Sequence, residues 1–149
     1  MPTSVITDAP YALAAGAGQP MSWLGSTLTL KASSHDLGVH EVLIQPGQEP
    51  PMHIHKNEDE WFYMLEGRMT FHVGDETFSG DKGAFVSFPR GIAHTFTVES
   101  PSARFLVLIT PGGFERMFER QPKTILDAVA ALKAYDCEVV GPHPRQATA

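Results

Sequence analysis

Seven histidines occur in the chain: His35, His40, His53, His55, His72, His94 and His143. Two of them, His53 and His55, stand two residues apart in a segment that reads as a strand. Side chains at i and i+2 of a strand leave the same face, so both imidazoles reach one point. Glu60 follows five residues later, beyond a turn through Lys56-Asn57. If the chain folds back there, a carboxylate on the adjacent strand meets the two rings. His94 opens a later strand, just after the turn Pro89-Arg90-Gly91. Three imidazoles and one carboxylate suit a single divalent transition metal: Fe, Mn, Ni, Co, Cu or Zn. Taken alone, an H-x-H pair is a weak signal, more often two surface or core histidines than a metal site.

Other polar residues carry less. His35, His40, His72 and His143 join no such pattern, and His72 alternates against the apolar face of its strand, so it is expected to be exposed. Glu58 and Asp59 precede Glu60 in what reads as a solvated loop, though either could serve as an acid or base near a metal. Arg90 either meets an anionic substrate or solvates its turn. No G-x-S-x-G, phosphate loop or C-x-x-C is present, so hydrolase triads, nucleotide binding and thiol redox chemistry lack support.

Short strands position these residues. Residues 1–22 read as an irregular N-terminal arm with room for one short strand, broken by Pro2, Pro10, Pro20, Gly16 and Gly18. From Leu24 the hydrophobic period becomes two, and 23–110 reads as one β-barrel unit. Strands are expected near residues 27–31, 39–45, 51–55, 60–65, 69–73, 76–79, 84–88, 94–98 and 104–110. Gly and Pro punctuate them, as in an antiparallel sandwich or barrel. Parity carries the inward face from Glu60 to Phe62 and Met64, and from His94 to Phe96 and Val98. Met69, Phe71 and Val73 form the apolar set of their own strand. A small barrel with this interior either fills solidly or holds one small ligand, with Phe62, Met64, Phe71, Phe96 and Val98 as the expected pocket.

Beyond Pro111-Gly112-Gly113 the period lengthens. The 111–149 segment reads as helical with a tail. Phe114, Met117 and Phe118 sit at helical spacing, and Pro122 stops that helix. Thr124 to Ala134 reads as a second helix, with Thr124 and Asp127 as a capping box and Ile125, Val129 and Leu132 as its apolar stripe. Glu138–Val140 is a last strand or simply extended, and the tail from Gly141 is expected to fray.

Composition sets the outer bounds. The chain has 149 residues, 42% of them hydrophobic and 19% charged, which excludes a disordered or coiled-coil protein. A net charge of −6 argues against nucleic acid as a partner. No apolar run approaches the roughly 18 residues that span a bilayer. The single cysteine, Cys137, excludes a disulfide scaffold. The first basic residue is Lys31, so no signal peptide is expected and a cytoplasmic location is the default.

Two strings organise the candidate site. Gly47, His53, His55, Glu60 and Gly67 stand as G-x5-H-x-H-x4-E-x6-G, and Gly83, Pro89, Gly91 and His94 as G-x5-P-x-G-x2-H. They resemble the two sequence motifs of the cupin superfamily. The second motif usually ends in Asn, where this chain has Val98. That Asn is not a metal ligand in the family pattern, so the departure concerns the local turn. The stretch between the motifs, Arg68 to Lys82, is short, and the chain is similar to small single-domain bacterial cupins of the quercetin 2,3-dioxygenase-like group. The resemblance implies an all-β jelly-roll barrel with one or two short C-terminal helices. It implies a metal held by His53, His55, Glu60 and His94. It also implies a dioxygenase acting on a small aromatic or enol-like substrate of the flavonol or phenol class, with Glu60 as the catalytic proton acceptor. An oxygen-independent isomerase, cyclase or decarboxylase, or a non-enzymatic small-ligand-binding module, would use the same barrel. Open sheet edges and the arm lead to the expectation of a homodimer.

Overall fold

The computed structural model describes residues 5–147; the first four residues of the expected arm and the last two of the tail lie outside the described residues. Among the described residues eleven strands form two antiparallel sheets. They are β1 (Gln19–Trp23), β2 (Ser26–Ser33), β3 (Gly38–Ile44), β4 (Met52–His55), β5 (Asp59–Glu66), β6 (Met69–Val73), β7 (Glu76–Gly80), β8 (Phe85–Phe88), β9 (His94–Val98), β10 (Ala103–Thr110) and β11 (Cys137–Gly141). One sheet runs β1-β2-β3-β10-β5-β8 and the other β11-β4-β9-β6-β7, facing each other as a jelly roll. A 3₁₀ helix (Phe114–Arg120) and helix α1 (Ile125–Ala134) follow the expected C-terminal order, and a short α2 (Pro144–Ala147) forms in the segment expected to fray. Among the described residues no helix is long and apolar enough to cross a membrane.

Alternation along the strands creates the core. On β10 every second residue, from Ala103 to Ile109, is buried. Phe62 stacks on Phe105 with ring centroids 4.7 Å apart and meets Phe88 edge-on at 4.6 Å. Phe71 and Phe96 complete this aromatic layer. Each such ring removes roughly 150–250 Å² from water, about 4–6 kcal/mol of apolar transfer as an upper bound. The filled layer joins the sheets on one side of the metal-site candidates.

The one short strand for which the arm had room is β1, formed by its last residues with Trp23 and registered against β2 from Gln19↔Leu30 to Trp23↔Ser26. Several expectations are corrected. The first helix is 3₁₀, entered through Gly113 at φ 121°. Helix α1 begins as read, with Thr124 Oγ1 accepting from the Asp127 amide at 3.1 Å. Its buried face, however, is Ala128, Ala131 and Leu132, while Ile125 is 48% exposed. Small side chains let the helix lie close to its neighbours, and close approach outweighs side-chain hydrophobicity in choosing the face.

The described part of the tail, to residue 147, does not fray: His143 is buried and its Nε2 bonds the Phe96 carbonyl at 2.9 Å. His72 is half-buried, not exposed, because the returning tail covers the outer face of its sheet. Thr97 Oγ1 lies 3.3 Å from both His72 Nε2 and His143 Nε2.

Candidate metal centre

The strand order brings the four predicted ligands to one place. His53 on β4 and His94 on β9 are cross-strand partners. Glu60, on β5 of the facing sheet, points at them from the other side. Ring centroids are 4.4 Å apart for His53–His94, 5.1 Å for His53–His55 and 5.2 Å for His55–His94. All four side chains are buried. Two motif glycines hold the frame. Gly91 adopts φ 79° and donates its amide to the His55 carbonyl at 2.8 Å, which ties the second motif to the first. Gly47, at φ 96°, turns the chain so that its amide meets the Glu49 carboxylate.

Hydrogen bonds fix which nitrogen each ring presents. His53 Nδ1 lies 2.7 Å from the Pro51 carbonyl, and His94 Nδ1 lies 3.2 Å from that of Ile92. A carbonyl only accepts, so both Nδ1 atoms carry the proton and both Nε2 atoms keep a lone pair. His94 Nε2 is buried without a hydrogen-bond partner, 4.0 Å from Glu60 Oε1. His55 Nε2 approaches Glu60 Oε2 at 3.2 Å. On its other side His55 Nδ1 faces Glu58 Oε2 at 3.8 Å, an ion-pair distance too long for a hydrogen bond. One donor atom each from His55, Glu60 and His94 lies within 4.8 Å of the others. His53 and His55 form a second such group with the buried thiol of Cys137, whose pKa burial pushes up.

Electrostatics complete the picture. Burial pushes the Glu60 carboxyl up, but the surrounding imidazoles, His55 foremost, outweigh it and bring its pKa down to about 2. Burial lowers His94 to about 4, against the pull of Glu60. Burial, then the neighbouring His94 and His55, put His53 well below its ordinary range. Burial also opposes charge on His55, yet Glu60 and Glu58 prevail and raise it to about 9. A buried carboxylate therefore shares one proton with one imidazole, beside two neutral imidazoles with free lone pairs. This donor set, with the orphaned Nε2 of His94, fits a divalent transition ion.

Beside this cluster is a cavity of about 70 Å³. Phe62 and Phe96 line it, together with Phe105, Phe114, Phe118 and His40. Met64, Phe71 and Val98 are placed differently from the expected pocket: they are buried in solid core and form no part of its wall. Parity gives the inward direction but not the level along the barrel: Phe71 belongs to the aromatic layer, and none of the three reaches the cavity.

Arg90 is committed to Asp59, with its amide and Nε on Oδ1 at 2.9 and 3.2 Å and Nη2 on Oδ2 at 3.1 Å. Glu58 is buried under His55 and not solvated. His40, which joins neither motif, also reaches the cavity. Its signal was there, since His40, Val42 and Ile44 share the buried parity of β3.

Comparison with known proteins agrees with this geometry. Residues 40–110 match the family described as Cupin domain. The chain belongs to the cupin superfamily. Quercetin 2,3-dioxygenase of Aspergillus japonicus is 38% identical over 74 residues, 44% of this chain and 20% of that protein. Quercetin 2,3-dioxygenase of Bacillus subtilis (strain 168) is 22% identical over 113 residues, 73% of this chain and 34% of that protein. The cupin chain thus spans a fifth to a third of the length of these relatives. Among solved structures, a Streptomyces PAC13 variant with uridine superposes at TM-score 0.66 and 13% identity, covering 93% of this cupin and 97% of that chain. An RmlC-like cupin from Shewanella frigidimarina NCIMB 400 gives TM-score 0.62 at 14% identity, covering 70% and 93%. At these identities the structures speak for the fold alone.

Proposed function

We propose that this cupin is a metal-dependent dioxygenase acting on a small enol-like or phenolic substrate. One observation carries the reading: the buried, partnerless Nε2 of His94 faces Glu60 beside an aromatic-walled cavity. The ligands would be His53, His55, Glu60 and His94, around one divalent transition metal. Bound there, such an ion would supply Lewis acidity and one-electron chemistry.

The chain's own groups do the remaining work. Glu60 is the carboxylate at the cavity and takes the proton of the enol or phenol hydroxyl. Phe62, Phe96, Phe105 and Phe114 exclude water and pack the carbon skeleton. The cavity also bounds substrate size. At about 70 Å³ it is half the roughly 150 Å³ cavity that holds benzene. That space favours a small enol-like group over a three-ring flavonol.

The test is oxygen uptake by metal-replete protein against a panel of small enolisable ketones and phenols. Oxygen consumption in step with substrate loss, abolished in Glu60→Ala, is expected. Turnover at the same rate in a sealed anaerobic cuvette would reject oxygenase chemistry in favour of an oxygen-independent isomerase or lyase.

A further inference from the structure

The cavity has a second polar end, on the sheet that faces the three clustered histidines. His40, on β3, is 2% exposed and lines the cavity. No hydrogen bond to its ring is present among the described residues, and its Nδ1 is fully enclosed without a partner. Phe118 meets the ring at 5.0 Å. Trp23 also lines the cavity and flanks Phe118 at 5.6 Å, and its Nε1 is likewise buried without an acceptor.

The sheet register places this pair relative to Glu60. His40 lies beside Val107, and Val107 beside Phe62, in one inward-facing row. The neighbouring row holds Gly38, Ile109 and Glu60. His40 therefore stands two strands, about 10 Å of backbone, from the strand of Glu60 and one row away from it. A small space with mainly aromatic and aliphatic walls separates the two polar ends.

Buried polar groups without partners are rare, because each has lost its hydration for nothing. A phenylalanine at position 40 would serve packing against Phe118 without that loss. The unused groups instead describe a complement. Trp23 Nε1 only donates; a neutral imidazole donates from one nitrogen and accepts at the other. Burial holds His40 neutral, lowering its pKa to about 4. No lysine or arginine lines the cavity, so the group received there is an uncharged hydroxyl or carbonyl, not a carboxylate or phosphate.

We propose that His40, supported by Trp23, is a second polar anchor of the substrate cavity, and that the substrate carries two oxygen functions, one for the His53/His55/Glu60/His94 end and one for His40. This rests on the reading of the cavity as the substrate site. His40 is a positioning residue: it selects which substrates sit correctly and takes no part in the metal shell.

The experiment uses two probes that differ by a single hydroxyl, 4-hydroxy-2-butanone and 2-butanone. Their binding to the metal-replete protein is measured by ligand-observed NMR titration, with metal content measured on the same samples. The wild type should bind the hydroxy ketone about fivefold more tightly, the value of one neutral hydrogen bond. His40→Phe should erase that preference while metal content and melting temperature hold. His40→Gln, which keeps a donor and an acceptor, should restore part of it. A purely structural histidine would not move the ratio between the probes. Equal binding of both probes to the wild type, binding of neither, or a preference that survives His40→Phe overturns the proposal. The readout does not involve oxygen, so a protein that shows the preference but consumes none loses the oxygenase reading and keeps this one.

Discussion

The proton between His55 and Glu60 marks where a cation belongs. Glu60 is held ionised by the rings around it, and His55 is held protonated by two carboxylates. Purified protein is expected to carry close to one transition ion per chain. His55→Ala removes the ring that bridges Glu60 and Glu58 and should lose most of that metal. His35→Ala, at a ring that is 98% exposed, should lose none. Elemental analysis of the two variants decides the matter, and equal retention would refute the ligand set. The convergence of His53, His55, Glu60 and His94 was legible because motif spacing and strand parity both constrain these side chains. Glu58 was not. It reads as one more acidic residue in a polar loop, and its burial under His55 comes from the path of the turn, which no period reports. His40 shares the buried parity of β3 but belongs to neither motif, lying seven residues before Gly47.

At the scale of elements, the returning tail is fastened at one carboxylate. Glu49 is 5% exposed and accepts from the amides of Gly47 and Val98, the latter at 3.2 Å, and from Arg145 Nη2 at 2.8 Å. His143 Nε2 lies 3.7 Å away. Burial alone would raise the Glu49 pKa, but the backbone amides and Arg145 outweigh it and lower it below 4.5. A lowered carboxylate contributes stability that is fully present above its unfolded pKa and is lost as pH falls through the folded one. Glu49→Gln should therefore cost about 1–3 kcal/mol at neutral pH. It should also flatten the loss of stability below about pH 4.5, the ordinary carboxyl value. Urea melts at pH 7 and pH 3 check both; an unchanged acid slope would count against the fastening. Strand positions were readable within a residue or two, because Gly and Pro mark the turns and the period is strict. The tail was not readable, since Gly141, Pro142 and Pro144 look like fraying until Glu49 is seen waiting for Arg145.

For the whole molecule, the sequence reveals a jelly roll through its motifs and short strands, but not which strands become neighbours. That β10 lies between β3 and β5 is settled by long-range pairing with no local signature. The outer face of this sheet bears on assembly. Tyr63 and Phe85 are cross-strand partners, 42% and 62% exposed, next to Leu106 on β10. An apolar row of this kind suits contact with a second copy. Light scattering at micromolar concentration is expected to give about twice the chain mass of 16.3 kDa. Phe85→Asp should bring it down to the single-chain value. A wild type already at that value would reject the dimer.

The position of β4 has a kinetic corollary. The strand that carries His53 and His55 is flanked by β9 on one side and β11 on the other. Its second neighbour is roughly eighty residues downstream, a loop that must close before the pairing rewards it. During synthesis the two histidines emerge early and then wait, on a strand with one bare edge, until residue 141 has left the ribosome. The site should therefore be among the last parts of the molecule to mature. In refolding, the aromatic layer would form first and metal uptake would follow as a separate, slower phase. The half-built species in between would expose a hydrogen-bonding edge, which is where misassembly with another nascent chain would begin.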